Sequence, residues 1–358
     1  HNPAPDNGIK FVGHNGRKLA DEVEAEIEAL MQPTGHRPEG EGVGAIESDR
    51  SLIDGYLEYL LTIVPEGLEG LRVAVDAANG AAYEIGPDVL RRLGAEVVAV
   101  GTTPDGININ AEGGATKPEV IQRLTVEAGA DVGVAFDGDA DRAVFSDEKG
   151  TLVNGDRTLG IWAAHYRKKG ELSPSTIVGT VMSNGGFEAY LRSQGVDLLR
   201  TPVGDKYVAQ KLDESGSLAG GEQSGHLIFP RRGPTGDGLI TMLELFRVLK
   251  EEGRSASSFI ADYDPWPQLM VNVAISSKDG WSEKPEVARA LAEGEEALRG
   301  HGRLVVRPSG TQPMIRVMVE ADGYGLRDGV ADRIVEAMRR ELGGSIHGRV
   351  DLTHALGD

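Results

Sequence analysis

The chain has 358 residues, enough for several domains, and its 40% hydrophobic and 26% charged composition is that of a folded globular protein. A net charge of −19 argues against nucleic acid or an anionic membrane as partner, and any anionic ligand must therefore meet a local basic site. With no cysteine, disulfides, thiolate zinc sites and thiol catalysis are excluded, and no stretch nears the roughly 20 apolar residues of a membrane-spanning helix.

In chain order, His1 to Phe11 reads as a turn-rich loop entering a short strand, and residues 19–31 as an acidic amphipathic helix. The Gly- and Pro-rich stretch 32–44 reads as a linker, and 52–63 as a helix crossing into the next unit. From Leu71 the pattern becomes regular. Strand 71–76, helix 83–93, strand 95–100, helix 118–128 and the apolar run 130–136 form a βαβ series. A hairpin near Gly150 and a helix over 156–169 open a second series of the same kind. It has strands at 176–181, 198–202 and 218–220 and helices at 186–194 and 205–214, closed by a helix over 238–251. Two such series predict two α/β domains of similar construction. Residues 254–267 read as a connecting stretch with room for a hinge. The strands 269–276, 303–307 and 314–320 with helices 286–298 and 326–342 predict a smaller α+β domain, and the tail after Gly343 reads as frayed.

The densest chemistry lies at Asp137-Gly-Asp139-Ala-Asp141-Arg142, between two strand-like runs. In extended backbone alternate side chains share a face, so three carboxylates converge there, and they repel one another unless a cation sits among them. Oxygen ligands alone suit Mg²⁺ or Ca²⁺. An EF-hand loop is the nearest rival, with Glu148 at its twelfth position, but Arg142 replaces its required glycine and the flanks are not helical.

A second turn, Arg307-Pro-Ser309-Gly310-Thr311-Gln312-Pro-Met-Ile-Arg316, joins two strands with hydroxyls, a glycine and two guanidinium groups. That is a donor set for phosphate, and it supplies the local basic site the net charge demands. A third, Gly221-Glu222-Gln223-Ser224-Gly225-His226, gathers a carboxylate, a hydroxyl and an imidazole, suited to sugar hydroxyls, which both donate and accept. Gly204-Asp205-Lys206-Tyr207 reads equally as a plain helix start. Lys10 and His1 are candidate proton-transfer groups. No Walker A loop, G-x-S-x-G elbow or H-E-x-x-H occurs.

Taken in order, His1-Asn-Pro-x-x-Asp6-Asn-Gly-x-Lys10, the acidic loop, Gly221 to His226 and Arg307 to Thr311 resemble the α-D-phosphohexomutase family. Within it, Gln223 and the run Met314 to Glu320 are most similar to the amino-sugar branch, with the phosphomannomutase/phosphoglucomutase branch second. The resemblance implies related α/β domains and a smaller C-terminal domain around a central cleft. It divides this chain into 1–44 (the remainder of a first domain), 45–154, 155–266 and 267–358. It also implies that a catalytic phosphoserine immediately precedes His1, so that most of the first domain lies ahead of the sequence.

The implied reaction interconverts glucosamine 6-phosphate and glucosamine 1-phosphate through a bound 1,6-bisphosphate, with one Mg²⁺ on Asp137, Asp139 and Asp141 and Arg142 beside it. Lys10 and His1 are the candidates for proton transfer and for contact with the phosphate. Glu222 and Ser224 would hold sugar hydroxyls, Arg307, Ser309, Gly310, Thr311 and Arg316 the distal phosphate, and Lys206 and His226 would complete the pocket. The expected partner is a hexosamine phosphate, with no nucleic acid or membrane, a homodimer as one possible assembly, and the cytoplasm as location. Gln312 stands where the family usually has Glu, which removes a negative charge from the phosphate turn. A non-catalytic sugar-phosphate binder and a phosphatase built on the acidic residues are the competing classes.

Overall fold

The computed structural model describes residues 4–6, 8, 10–31, 38–309, 313–354 and 356. The chain begins with α1 (Asp21–Leu30), none of whose residues is buried, and α2 (Ser51–Leu61), which buries Leu57 and Leu60. The strand expected near Phe11 is reduced to a single antiparallel bridge between Val12 and Lys18.

The second unit follows as β1 (Arg72–Asp76), α3 (Ile85–Arg92), β2 (Glu96–Val100), α4 (Glu119–Glu127), β3 (Val132–Phe136), β4 (Ala143–Asp147) and β5 (Leu152–Val153). Its sheet runs β2-β1-β3-β4-β5, with the first three strands parallel and the last two antiparallel. β3 and β4 are buried at every position, which is why they read as unbroken apolar runs.

The third unit repeats the plan. It comprises α5 (Gly155–Lys168), β6 (Thr176–Thr180), α6 (Gly185–Ser193), β7 (Asp197–Thr201), α7 (Asp205–Ser215), β8 (Gly220–Gly221), β9 (Leu227–Ile228) and α8 (Gly238–Glu252). Its sheet order is β7-β6-β8-β9, again parallel across the first three strands with an antiparallel fourth. Strand for strand this matches β2-β1-β3-β4. One apolar core, running through Leu60, Phe136, Phe145, Trp162, Phe187 and Phe246, joins the two units.

The stretch expected as a bare connection carries a short helix, α9 (Ala256–Ile260). Its Ser257 N–H donates to Glu148 of the second unit over 3.1 Å, while Phe259 and Tyr263 pack into the shared core. The C-terminal unit contains β10 (Gln268–Ala274), α10 (Pro285–Leu298), β11 (Gly302–Pro308), β12 (Met314–Ala321), α11 (Tyr324–Leu342) and β13 (Ser345–Asp351). Its antiparallel sheet runs β11-β12-β10-β13. The tail expected to fray is therefore a strand: residues 345–351 pair with β10 and complete the sheet edge.

This unit is tied to the third by a buried carboxylate. Glu320 accepts from the Gly185 N–H at the start of α6 and from Arg303 Nε, both at 2.8 Å. No described helix is long and apolar enough to cross a membrane.

Candidate active site

In a sheet whose first three strands are parallel, the turns after those strands open on one edge. Ligands gather there, where neighbouring strands send their connections to opposite faces. In the second unit that point lies between β1 and β3. The turn after β1 is held by Asp76, buried at 1% exposure, which accepts from Ala78 N–H (3.0 Å) and Gly114 N–H (2.7 Å). The turn after β3 is Asp137 to Arg142.

The three carboxylates converge as expected, one oxygen from each of Asp137, Asp139 and Asp141 lying within 4.8 Å of the others, but they do so on a turn with Ala140 in the left-handed region and not along the extended backbone that the spacing suggested. Asp137 is fully buried, and its Oδ1 accepts from the Arg142 N–H at 3.1 Å. Among the described residues its Oδ2 has no hydrogen-bond partner, and it faces Arg142 Nε at 3.7 Å. Burial, reinforced by Asp141 and Asp139, pushes the Asp137 carboxyl up to about 7. Burial pushes Asp141 up as well, but His226 and Lys10 outweigh it and hold that carboxyl below the usual range. Lys10 Nζ lies 3.0 Å from Asp139 and 3.1 Å from Asp141. Three oxygen ligands with one orphaned buried oxygen form a set that fits a hard divalent cation.

The turn Glu222 to His226 follows β8, the strand that corresponds to β3, so it occupies the same topological position in the third unit. Glu222 Oε1 accepts from the Gly204 N–H at 3.0 Å, and the turn closes through Gly225 N–H to Glu222 O at 3.0 Å. The two turns touch through main chain: Ala143 N–H donates to Gly225 O over 3.1 Å. Gly225 has φ +94°, and a Cβ there would stand 2.4 Å from Ala143 O, so the contact requires glycine. His226 is buried, with Nδ1 3.5 Å from Asp141 Oδ1. Lys206, by contrast, is half exposed, pairs with Asp21 at 2.9 Å and lies over the Tyr207 ring.

A further cluster sits on the C-terminal hairpin. Arg307 and Arg316 are direct cross-strand partners in β11 and β12, and Ser309 N–H closes the hairpin onto Met314 O at 2.8 Å. Lys278 Nζ donates to Ser309 O over 2.8 Å and adds a third cation, one that the sequence offers no local signal for. His1, Gly310 and Thr311 lie outside the described residues.

Models of phosphoglucomutase/phosphomannomutase α/β/α domains I, II and III and of the C-terminal domain match residues 1–37, 54–150, 154–265 and 270–337. A phosphoglucosamine mutase of Symbiobacterium thermophilum is 45% identical over 345 residues, 96% of this chain and 77% of that protein. The chain belongs to the phosphoglucosamine mutase family of phosphohexomutases. Other members include the phosphoglucosamine mutases of Desulforudis audaxviator (46% identity, 94% of this chain and 76% of the relative) and Streptococcus pyogenes (45%, 96% and 77%). The fold is shared with a phosphoglucomutase/phosphomannomutase family protein of Burkholderia thailandensis. Its TM-score is 0.69 at 22% identity, covering 91% of this chain and 72% of that one. Aspergillus fumigatus N-acetylphosphoglucosamine mutase, solved with GlcNAc-6P and magnesium, has TM-score 0.64 at 23% identity, covering 80% and 66%.

Proposed function

We propose that the protein interconverts glucosamine 6-phosphate and glucosamine 1-phosphate through an enzyme phosphoserine and a 1,6-bisphosphate, the reaction of a phosphoglucosamine mutase. The observation that carries this reading is the convergence of three carboxylates after β3, one with an orphaned buried oxygen, against the Glu222 to His226 turn. In this reading the chain divides into 1–44, 45–154, 155–266 and 267–358.

Asp137, Asp139 and Asp141 would hold one Mg²⁺, which when bound offsets negative charge on the phosphoryl group being transferred. Arg142, anchored by its own N–H to Asp137, presents its guanidinium beside that group. Lys10, within reach of Asp139 and Asp141, and His1 are the groups that move protons at the sugar oxygens. Glu222 and Ser224 hold the sugar hydroxyls, and His226 and Lys206 border the same pocket. Arg307, Ser309, Gly310, Thr311 and Arg316 anchor the phosphate that does not react, a local basic site in a chain of net charge −19.

Steady-state kinetics of the full-length protein test the proposal, with Mg²⁺ and glucose 1,6-bisphosphate present and glucosamine 6-phosphate compared against mannose 6-phosphate. The expected result is a higher kcat/KM for glucosamine 6-phosphate. Preference for mannose 6-phosphate would assign the phosphomannomutase reaction instead, and binding without turnover would leave a sugar-phosphate binder.

A further inference from the structure

His226 is held on three sides. Its Nδ1 faces the Asp141 carboxylate at 3.5 Å and its Nε2 faces Asp205 Oδ2 at 3.7 Å. Gly236 backs the ring so closely that a Cβ there would lie 2.2 Å from Nε2. Nε2 makes no hydrogen bond among the described residues, so at that end the ring meets Asp205 as a charge, and its alignment on Asp141 responds to that charge. That charge is set by Asp205, the first residue of α7, whose Oδ2 lies 2.5 Å from Lys18 Nζ. Burial pushes the Asp205 carboxyl up, but Lys18 and His226 outweigh it and keep it below the usual range.

Lys18, Asp205, His226 and Asp141 thus form a row running from the N-terminal segment to the metal turn. The same end of α7 supplies the Gly204 N–H that fixes Glu222. A parallel contact between the same two segments, Arg17 with Asp213, lies further along α7; its Nη2 to Oδ1 leg is 3.0 Å and both side chains are nearly half exposed.

We propose that Asp205, set by Lys18, is a positioning residue for the metal turn: through His226 it orients the Asp141 carboxylate toward the cation. The inference rests on the metal assignment made above. The outer partners of a metal ligand fix its direction, and losing one typically costs about tenfold or more in metal affinity; Asp205 acts through one such partner, His226.

The test is Mn²⁺ binding to the full-length protein, read by electron paramagnetic resonance, beside mutase kinetics as a function of Mg²⁺ and of sugar phosphate. Asp205→Asn keeps the shape and the α7 backbone. It should weaken Mn²⁺ by about tenfold and raise the Mg²⁺ activation constant, leaving the sugar-phosphate KM within twofold. Lys18→Gln should act in the same direction, by about threefold, and add nothing in the Asp205→Asn background, because its effect passes through Asp205.

Arg17→Gln breaks the neighbouring ion pair and should leave both metal readouts unchanged. Equal effects from Arg17→Gln and Lys18→Gln would mean that the pairs merely fasten two segments together, which overturns the proposal. So would normal Mn²⁺ affinity in Asp205→Asn. If Asp205→Asn does not fold, the contrast between Lys18→Gln and Arg17→Gln decides alone. Mn²⁺ binding by an unsubstituted protein that turns over no hexose phosphate would overturn the assigned reaction and leave this inference standing; no Mn²⁺ binding would overturn both.

Discussion

The turns after β3 and β8 occupy the same place in two copies of one sheet plan, yet they carry different chemistry. In the second unit the turn gathers three carboxylates around a left-handed Ala140 (φ +60°); in the third it pairs Glu222 with a left-handed Gly225. The turn after the first strand shows the same division of labour. Asp76 braces it in the second unit, while in the third the buried Asp156 accepts from the Asn184 N–H at 2.7 Å. Topology decides where functional turns lie and which backbone groups need bracing; side chains decide what the turns bind.

The sharpest way to break this comparison is to remove one carboxylate from the turn after β3. Asp139→Asn should lower turnover by about a hundredfold, because roughly 3 kcal/mol of charge stabilisation is lost, while the fold persists. Mutase assays over a Mg²⁺ titration check it, and near-normal activity would show that the two turns are not functionally distinct.

Gly225→Ala attacks the contact between the turns. Strain at positive φ and the approach to Ala143 O together should cost about 3 kcal/mol, seen as a lower urea midpoint with unchanged m.

A third experiment compares the braces. Burial raises the Asp156 carboxyl from an ordinary value of 3.8 to about 6. The folded state therefore holds a proton that the unfolded chain releases near pH 4. The stability this confers is complete below that point and is lost as pH rises through 6. Asp156→Asn should abolish that loss, about 2–3 kcal/mol between pH 4 and pH 7, in urea unfolding at the two pH values.

The smallest effect belongs to Ala140→Gly. Relief at φ +60° and greater freedom in the unfolded chain oppose each other, so stability should change by less than about 1 kcal/mol. A loss as large as that of Gly225→Ala would mean that the two left-handed positions are not equivalent.

The parallel-sheet units were legible because strands such as β1 and β3 are buried on both faces and read as apolar runs. β8 and β9, two residues each, are too short to show a period, and β13 is exposed almost throughout, so no alternation marks it. The convergence of Asp137, Asp139 and Asp141 was legible in their closeness along the chain, though the turn that delivers it, with its left-handed Ala140, was not. The neighbours Lys18, Asp205 and Lys278 carry no such signal: each meets its partner only after distant segments fold together, and a lone charged residue beside a turn is ordinarily a solvated one.

The turns after β3 and β8 meet through main chain as well as through the His226–Asp141 side-chain pair. Besides Ala143 to Gly225, each turn is held by the start of a helix: the Gly155 N–H of α5 donates to Gln223 O at 2.9 Å and the Gly238 N–H of α8 to Ala140 O at 2.9 Å. Peptide groups are common to every residue except the missing N–H of proline, so the main-chain part of this registration is indifferent to which side chains the turns display. A half-buried position such as Ser224 can therefore be randomised in a library aimed at a new sugar without displacing the carboxylates next door, whereas the buried Gln223 has less room to change. The glycines pinned at the contact have no such licence. Divergence of substrate choice within this architecture can proceed one side chain at a time.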